Sequence, residues 1–298
     1  FEYSVSNKQK SNSASASHQA SVKCPKCGAK RIDQQLGLEE TPEEYVEKMV
    51  EVFKQVKRVL KHDGTVWLNL GDSYNGSGGA GGDYNKGGLK EGQPKYGRKF
   101  TNNLKPKDLV GIPWRVAFAL QADGWYLRSD IIWSKPNPMP ESVQDRPTKA
   151  HEYVFLLTKS PRYYYDADAI REVAQNWGTR DRTNGKYHNE GTGLTPHSGF
   201  AESNYAESGR NKRSVWEIAT QPYPEAHFAT YPEKLVEPCI LAGCPQDGVV
   251  LDPFAGSGTT LAVAQRLGRK SIGTDLSEEY LKLASKRLRS ISMPMILA

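Results

Sequence analysis

Two aspartates, each at the end of an apolar stretch, frame the segment VVLDPFAGSGTTLAVAQRLGRKSIGTDLS. The first stretch ends at Asp252, a turn with Gly256 and Gly258 and a helical pattern follow, and the second stretch ends just before Asp275. Glycine lets a backbone approach a ligand closely, and the amino end of the next helix favours a carboxylate or phosphate. Asp275 lies near the roughly 20-residue spacing at which an acid meets ribose hydroxyls. The segment therefore predicts a site for a nucleoside-containing ligand.

The composition of the turn narrows the choice of ligand. It reads F-x-G-x-G from Phe254, without the third glycine of a dinucleotide fingerprint and without a lysine for a triphosphate. S-adenosylmethionine, which has a ribose and an amino acid but no phosphate, fits better than NAD or ATP. An NAD-dependent oxidoreductase stays open as an alternative function.

A second chemical signal is a basic stretch in the first half of the chain. Seven basic residues and one acid lie between Lys86 and Lys107, among glycines and aromatic residues. Lysine and arginine bind phosphates, and aromatic rings stack on bases. We expect Lys95, Arg98 and Lys99 to contact DNA, although a solvated loop would show a similar composition.

Strand and helix patterns alternate around these two segments. A helix is predicted from Pro42 with Thr41 as its cap, a buried strand over Thr65–Leu70, and a helix near Pro113. Two β-rich stretches follow, and two further strand–helix pairs complete the chain. The alternation predicts an α/β fold with a doubly wound, mostly parallel sheet. No apolar run reaches the roughly 20 residues of a membrane helix, so we expect a cytoplasmic protein without a membrane partner.

The four cysteines do not suggest a disulfide scaffold. Cys24 and Cys27 form a C-x-x-C pair, which supplies half of the four ligands of a structural zinc site. Cys239 and Cys244 lie in an apolar helical context and are expected to be buried thiols. Zinc at Cys24 and Cys27 is therefore an expectation, with a redox-inert turn as the alternative.

Five segments, in order along the chain, carry a resemblance to a known family. They are WLNLGDSY, DIIWSKPNPMPES, RPTKAHEYVFLLTKS, HFATYPEKL and DPFAGSGTT. Together they resemble the DNA amino-methyltransferases, which modify cytosine N4 or adenine N6, in the permuted branch whose cofactor half follows the catalytic half. The resemblance implies a Rossmann-like, S-adenosylmethionine-dependent fold and a double-stranded DNA substrate with a flipped target base.

The resemblance also assigns roles to residues. Phe228, Thr230, Tyr231 and Pro232 fall on the segment that closes over the methionine part of the cofactor. By the same comparison, the remaining cofactor-binding residues are Asp252, Phe254, Gly256, Gly258 and Asp275. Trp133 is expected to wall the pocket of the flipped base and Lys135 to meet the DNA backbone, although a core aromatic and a surface charge are equally compatible. In the target recognition region, Arg180, Arg182 and Arg213 supply donors suited to phosphates and guanine edges.

These segments divide the chain into four predicted regions. Residues 1–35 are an insertion with half of the zinc site, and residues 36–160 are the catalytic half. Residues 161–213 are the target recognition region, and residues 214–298 are the cofactor-binding half. The sequence does not specify the oligomeric state, the recognition site or the choice between cytosine and adenine.

One family feature is missing from this sequence. The resemblance implies a tetrapeptide with a Pro-Pro pair and an aromatic residue, but no Pro-Pro pair occurs in residues 1–298. We expect the chain to be a fragment that binds the cofactor without transferring a methyl group, and the absent segment to supply a central strand beside the cofactor strand. Asp72, Ser73 and Tyr74 are weak substitutes at a strand end. A non-catalytic module that binds cofactor and DNA is the alternative.

Overall fold

The computed structural model describes residues 36–37, 39, 41–75, 104–173, 209–221 and 231–291. Its helices are α1 (Pro42–Val59), α2 (Ile112–Ala122), α3 (Glu233–Gly243), α4 (Thr259–Arg266) and α5 (Glu278–Arg289). Its strands are β1 (Thr65–Leu70), β2 (Tyr126–Ser134), β3 (His151–Thr158), β4 (Val215–Glu217), β5 (Val249–Asp252) and β6 (Lys270–Gly273). A 3-10 turn spans Asp168–Ile170. None of the described helices is long and apolar enough to cross a membrane.

The predicted start of α1 is confirmed. The hydroxyl oxygen of Thr41 accepts a hydrogen bond from the backbone N–H of Glu44 at 3.2 Å, and proline occupies the first turn, where its missing N–H costs nothing. Met49, Phe53 and Val56 share the buried face, as the helical spacing of apolar residues indicates.

The described strands form two sheets. In the larger sheet the order is β1-β3-β2-β4, with β3 antiparallel to both of its neighbours and β4 parallel to β2. β5 and β6 pair in parallel as a separate two-stranded sheet. The α/β class and the mostly parallel direction of the strands are confirmed: among the described strands only β3 runs against the others, which makes the larger sheet mixed. β3 follows β2 directly through a loop, and such a connection between adjacent strands favours an antiparallel pair.

Helices cover both faces of the larger sheet. α1 and α2 pack on one face, where Val116, Leu120, Phe155 and Leu157 are completely buried. The other face carries a cluster of buried residues with Leu235 of α3. This cluster contains Ile131, Trp133, Val154, Trp216 and Leu235. Burying a side chain of this size stabilises the fold by roughly 1.5–3 kcal/mol, so the two clusters fix the orientation of the strands.

The carboxyl ends of β1, β2 and β5 lie on one side of the molecule, which we call the carboxyl edge. β1 and β2 are parallel because both pair antiparallel with β3. The Thr65 hydroxyl donates to the Gly243 carbonyl at 3.2 Å, so α3 ends beside the start of β1. β5 follows α3 after a short turn and runs back toward the start of that helix. In α/β proteins, ligand sites form at this edge.

Candidate functional site

The two predicted aspartates both accept hydrogen bonds from backbone N–H groups of the turn after β5. The Asp275 carboxylate accepts hydrogen bonds from the N–H groups of Gly256 at 2.9 Å and Ser277 at 2.8 Å. The Asp252 carboxylate accepts one from the N–H of Phe254 at 3.0 Å. Each carboxylate oxygen has two lone pairs, so both groups can accept further hydrogen bonds from a ligand. The predicted cofactor residues Asp252, Phe254, Gly256 and Asp275 therefore share one site.

The two glycines of the turn differ in the space that surrounds them. Both have positive φ, 48° at Gly256 and 78° at Gly258. A Cβ on Gly258 would lie 2.8 Å from the Cβ of Ala284 in α5, whereas a Cβ on Gly256 would meet nothing nearer than 4.0 Å. The missing side chain of Gly258 makes room for α5, and a contact between Gly258 and a ligand stays a prediction. Gly256 faces open space, as a ligand-binding turn requires.

Tyr231 connects the start of α3 to the end of β5. Its hydroxyl donates to the Asp252 carboxylate at 3.1 Å and lies 2.6 Å from the hydroxyl oxygen of Thr260. Burial, followed by the charge of Asp252, raises the pKa of Tyr231, so the phenol stays protonated as a donor. Pro232 is the cap residue of α3 and is itself buried. Thr260 was not predicted as a site residue, although it lies only two residues after Gly258.

An ionic network that the sequence did not reveal holds the three helices of the cofactor half together. Glu233 of α3 pairs with Arg266 of α4 and, at 2.7 Å, with Arg287 of α5. Arg287 also donates to the Thr259 hydroxyl at 3.0 Å. Partial burial acts to raise the pKa of Glu233, but the hydrogen bonds from the two arginines outweigh it and lower that pKa overall. The network positions the helix that follows the turn.

Asp72 caps a helix instead of standing free as a catalytic group. Its carboxylate accepts hydrogen bonds from the backbone N–H groups of Gly111 at 3.0 Å and Ile112 at 3.1 Å. The cap residue Gly111 has no side chain to do this, so Asp72 stabilises the amino end of α2 from a distant part of the chain. The Ser73 carbonyl accepts from the N–H of Val110, and the centre of the Tyr74 ring lies 3.9 Å from the Arg146 guanidinium.

Asn75 is hydrogen-bonded to residues 104–108, at the end of the basic stretch. Its backbone N–H donates to the Asp108 carbonyl at 2.7 Å, and its side-chain amide donates to the carbonyls of Leu104 and Lys105. Asn75 is buried, so these bonds are shielded from water. Asn75 and Leu104 therefore lie at adjacent points on the carboxyl edge.

The described residues that were expected to contact DNA or the flipped base have different surroundings. Trp133 is only 3% exposed, and its indole N–H donates to the Ile218 carbonyl at 2.8 Å, so it occupies the core position that was the alternative to a base-pocket wall. Lys135 forms an ion pair with Glu152 and lies 4.4 Å from the centre of the Trp133 ring. Arg213 pairs with Glu172 at 2.9 Å.

The sequence matches a known family over almost its whole length. The model of the DNA methylase family matches residues 3–286. This chain belongs to the DNA methylase family. It is 46% identical to the Type II methyltransferase M.SmaI of Serratia marcescens over 257 residues, which cover 85% of this chain and 77% of that protein. It is 44% identical to the Type II methyltransferase M.Cfr9I of Citrobacter freundii, over 87% of this chain and 76% of that protein.

Solved structures resemble the fold of this methylase. PvuII DNA methyltransferase, which is cytosine-N4-specific, superposes with a TM-score of 0.56 at 20% identity, over 88% of this chain and 77% of that chain. A Thermus thermophilus protein solved in complex with S-adenosyl-L-methionine superposes with a TM-score of 0.51 at 21% identity, over 87% and 82% of the two chains. The Rossmann-like fold expected from the sequence is confirmed.

Several expected site residues of the methylase lie outside the described residues. They are Cys24, Cys27, Lys95, Arg98, Lys99, Arg180, Arg182, Phe228 and Thr230. Within the described ranges, no group of three or more His, Cys, Asp or Glu side chains could hold a metal ion. Zinc at Cys24 and Cys27, which lie outside these ranges, stays a prediction. Cys244 is buried and Cys239 is half-buried, and burial raises the pKa of both thiols.

Proposed function

We propose that this methylase transfers the methyl group of S-adenosylmethionine to the N4 of cytosine or the N6 of adenine in double-stranded DNA. The observation that carries the proposal is the pair of carboxylates, Asp252 and Asp275, on either side of the open turn at Gly256. The cofactor supplies the methyl group. Membership of the family removes the NAD-dependent oxidoreductase from consideration.

The donors and acceptors around the turn fit S-adenosylmethionine. Asp275 is placed to accept hydrogen bonds from ribose hydroxyls, and the Asp252 carboxyl group suits the ammonium group of the methionine part. Phe254 is 46% exposed and Leu276 is 83% exposed beside these acids, so apolar surface is available for a base. The Thermus thermophilus protein solved with S-adenosyl-L-methionine supports the same ligand.

We propose that the target base reaches the cofactor at the carboxyl edge. An exocyclic amine inside a duplex is out of reach of a bound cofactor, so the target nucleotide has to leave the stack. The basic stretch, including Lys95, Arg98 and Lys99, is proposed to hold the phosphates, and Arg180, Arg182 and Arg213 to contribute to sequence recognition. The Type II methyltransferase relatives support a role in a restriction-modification system.

We further propose that residues 1–298 bind the cofactor without transferring its methyl group. The weakly nucleophilic amine needs hydrogen-bond acceptors to direct its lone pair at the methyl group, and no Pro-Pro pair that would fix such acceptors occurs in this sequence. Asp72 cannot replace them while it caps α2. A non-catalytic module that binds cofactor and DNA is therefore the second candidate function.

Methyl transfer distinguishes the two candidates. Residues 1–298 and the complete product of the same gene are each incubated with tritiated S-adenosylmethionine and mixed-sequence duplex DNA. The enzyme proposal expects incorporation by the complete product, at least about 10² to 10³ times faster than by residues 1–298, because removing one preorganised group alone costs that much. Binding of the cofactor by both samples without transfer by either would establish the non-catalytic module.

A further inference from the structure

Met139 is the most exposed apolar side chain of the loop that joins β2 to β3. This loop, residues 135–150, is called the β2–β3 loop here. The side chain of Met139 is 84% exposed, whereas that of Val143 on the same loop is 41% exposed. A large apolar side chain left in water forgoes roughly 1.5–3 kcal/mol of burial. The thioether is therefore free to contact another molecule.

Met139 lies in a segment whose backbone is restricted by prolines. Met139 lies in the sequence Pro136-Asn137-Pro138-Met139-Pro140, and each proline ring fixes its own φ near −65°. A residue that precedes a proline is also restricted to extended conformations. The backbone at Met139 therefore has little freedom to fold the side chain back onto the protein.

Hydrogen bonds fasten the segment on both sides of Met139. Two residues before it, the Asn137 side chain accepts from the backbone N–H of Thr220 at 2.9 Å and donates to the carbonyl of the same residue at 3.3 Å. Two residues after it, the Glu141 carboxylate accepts from Arg146 at 2.6 Å and from the N–H of Lys149 at 3.3 Å. Met139 is thus held between two anchors.

The β2–β3 loop stands on the carboxyl edge, next to the cofactor site. The Lys149 ammonium donates to the Asp72 carbonyl at 2.7 Å, which fixes the loop to the turn after β1. Trp133, just before the loop, shares a core cluster with Tyr231, and the Tyr231 hydroxyl bonds to Asp252. The loop, which follows β2, and the cofactor-binding turn, which follows β5, therefore both lie at the carboxyl edge.

We propose that Met139 is the side chain that enters the DNA duplex when the target base leaves it. The inference rests on the proposed function and extends it to a specific contact with the substrate. A flipped nucleotide leaves a gap in the stack, and proteins that distort DNA insert apolar side chains, methionine among them, between bases. The flexible, polarisable thioether suits a gap with variable neighbours. A contact with phosphates would call for a cation or a polar group at this position.

The test compares duplexes that differ only in the partner of the target base. The recognition sequence is first mapped by sequencing the bases that the complete gene product methylates in random-sequence DNA. One duplex of that sequence then has the target base paired, and a second has it opposite an abasic site, where leaving the stack costs less. The variants are Met139→Ala, Met139→Leu and, as a matched control, Val59→Ala. Val59 is 55% exposed and ends α1, away from the carboxyl edge.

We expect Met139→Ala to lower kcat/KM on the paired duplex by about 10- to 100-fold and on the abasic duplex by less than about threefold. Met139→Leu restores most of the loss, and Val59→Ala matches the unmodified protein on both duplexes. An equal loss on both duplexes would indicate a general contact with DNA or with another protein and would overturn the proposal, as would no loss at all. All variants are made in the complete gene product, and absence of transfer by the unmodified complete product would overturn the proposed function instead.

Discussion

The hydroxyl of Tyr231 lies between the carboxylate of Asp252, at 3.1 Å, and the hydroxyl of Thr260, at 2.6 Å. These bonds tie the start of α3 to both sides of the glycine turn, at the end of β5 and the start of α4. A buried phenol beside a carboxylate can only donate to it, because its pKa is raised by burial and by the charge of Asp252. Tyr231 therefore orients the carboxylate of Asp252, which we propose contacts the cofactor.

Removing this hydroxyl tests its positioning role. Tyr231→Phe keeps the ring in the core but leaves Asp252 and Thr260 without their shared partner, so S-adenosylmethionine affinity should fall by about 1 kcal/mol, roughly fivefold. Tyr126→Phe is the control, since Tyr126 begins β2 at the opposite end of the sheet and is 45% exposed. Calorimetry on both variants measures the difference. Equal affinities for the two variants would show that Asp252 needs no orientation by Tyr231.

Alanine substitutions at the two turn glycines should differ in whether they mainly lower the free energy of unfolding or mainly weaken cofactor binding. Gly258→Ala should lower the free energy of unfolding by about 2–4 kcal/mol, because its Cβ overlaps Ala284 and its φ of 78° is strained. Gly256→Ala should cost only about 1–2 kcal/mol from its φ, yet weaken cofactor binding because the methyl group occupies open space at the site. Urea unfolding and calorimetry give the two quantities. A larger loss of stability for Gly256→Ala than for Gly258→Ala would contradict these roles of the two glycines.

Local patterns predicted the elements of this fold well. The capping residue Thr41, the apolar spacing of α1 and the alternation around Asp252 and Asp275 all depend on neighbours in the sequence, and the structure has each element where the pattern placed it. The order of the strands was not predictable in the same way. Pairing of β3 between β1 and β2 depends on contacts between distant parts of the chain.

In the candidate site, too, local features were predictable from the sequence and contacts between distant residues were not. The glycine turn and its acids are recognisable in the sequence because their spacing is local. Asp72, by contrast, was considered as a catalytic substitute because it follows a strand, and only the fold reveals that it caps α2, about 40 residues away. For Trp133 the sequence left a wall of the base pocket and a core position open, and the pairing of β2 with β3 and β4 is what places this side chain in the core.

The basic stretch predicts a salt-dependent contribution to DNA binding. Replacing Lys95, Arg98 and Lys99 with alanine should weaken binding to duplexes of any sequence and reduce the slope of log K against log salt by about 0.9 for each lost phosphate contact. The matched control replaces Lys54, Arg58 and Lys61, which lie at the end of α1 away from the carboxyl edge. Titrations at several salt concentrations measure the slopes. A slope for the loop variant equal to that of the control would exclude the stretch from the interface.

Calorimetric titration of S-adenosylmethionine into residues 1–298 tests the cofactor site most directly, with NAD as the competing ligand. The account predicts saturable binding of S-adenosylmethionine and no binding of NAD. Asp275→Ala should weaken that binding by about 1.5–3 kcal/mol through the loss of charge-assisted hydrogen bonds, whereas Asp247→Ala, at an exposed turn before β5, should leave it unchanged. Binding of NAD, or an affinity for S-adenosylmethionine that Asp275→Ala leaves intact, would contradict it.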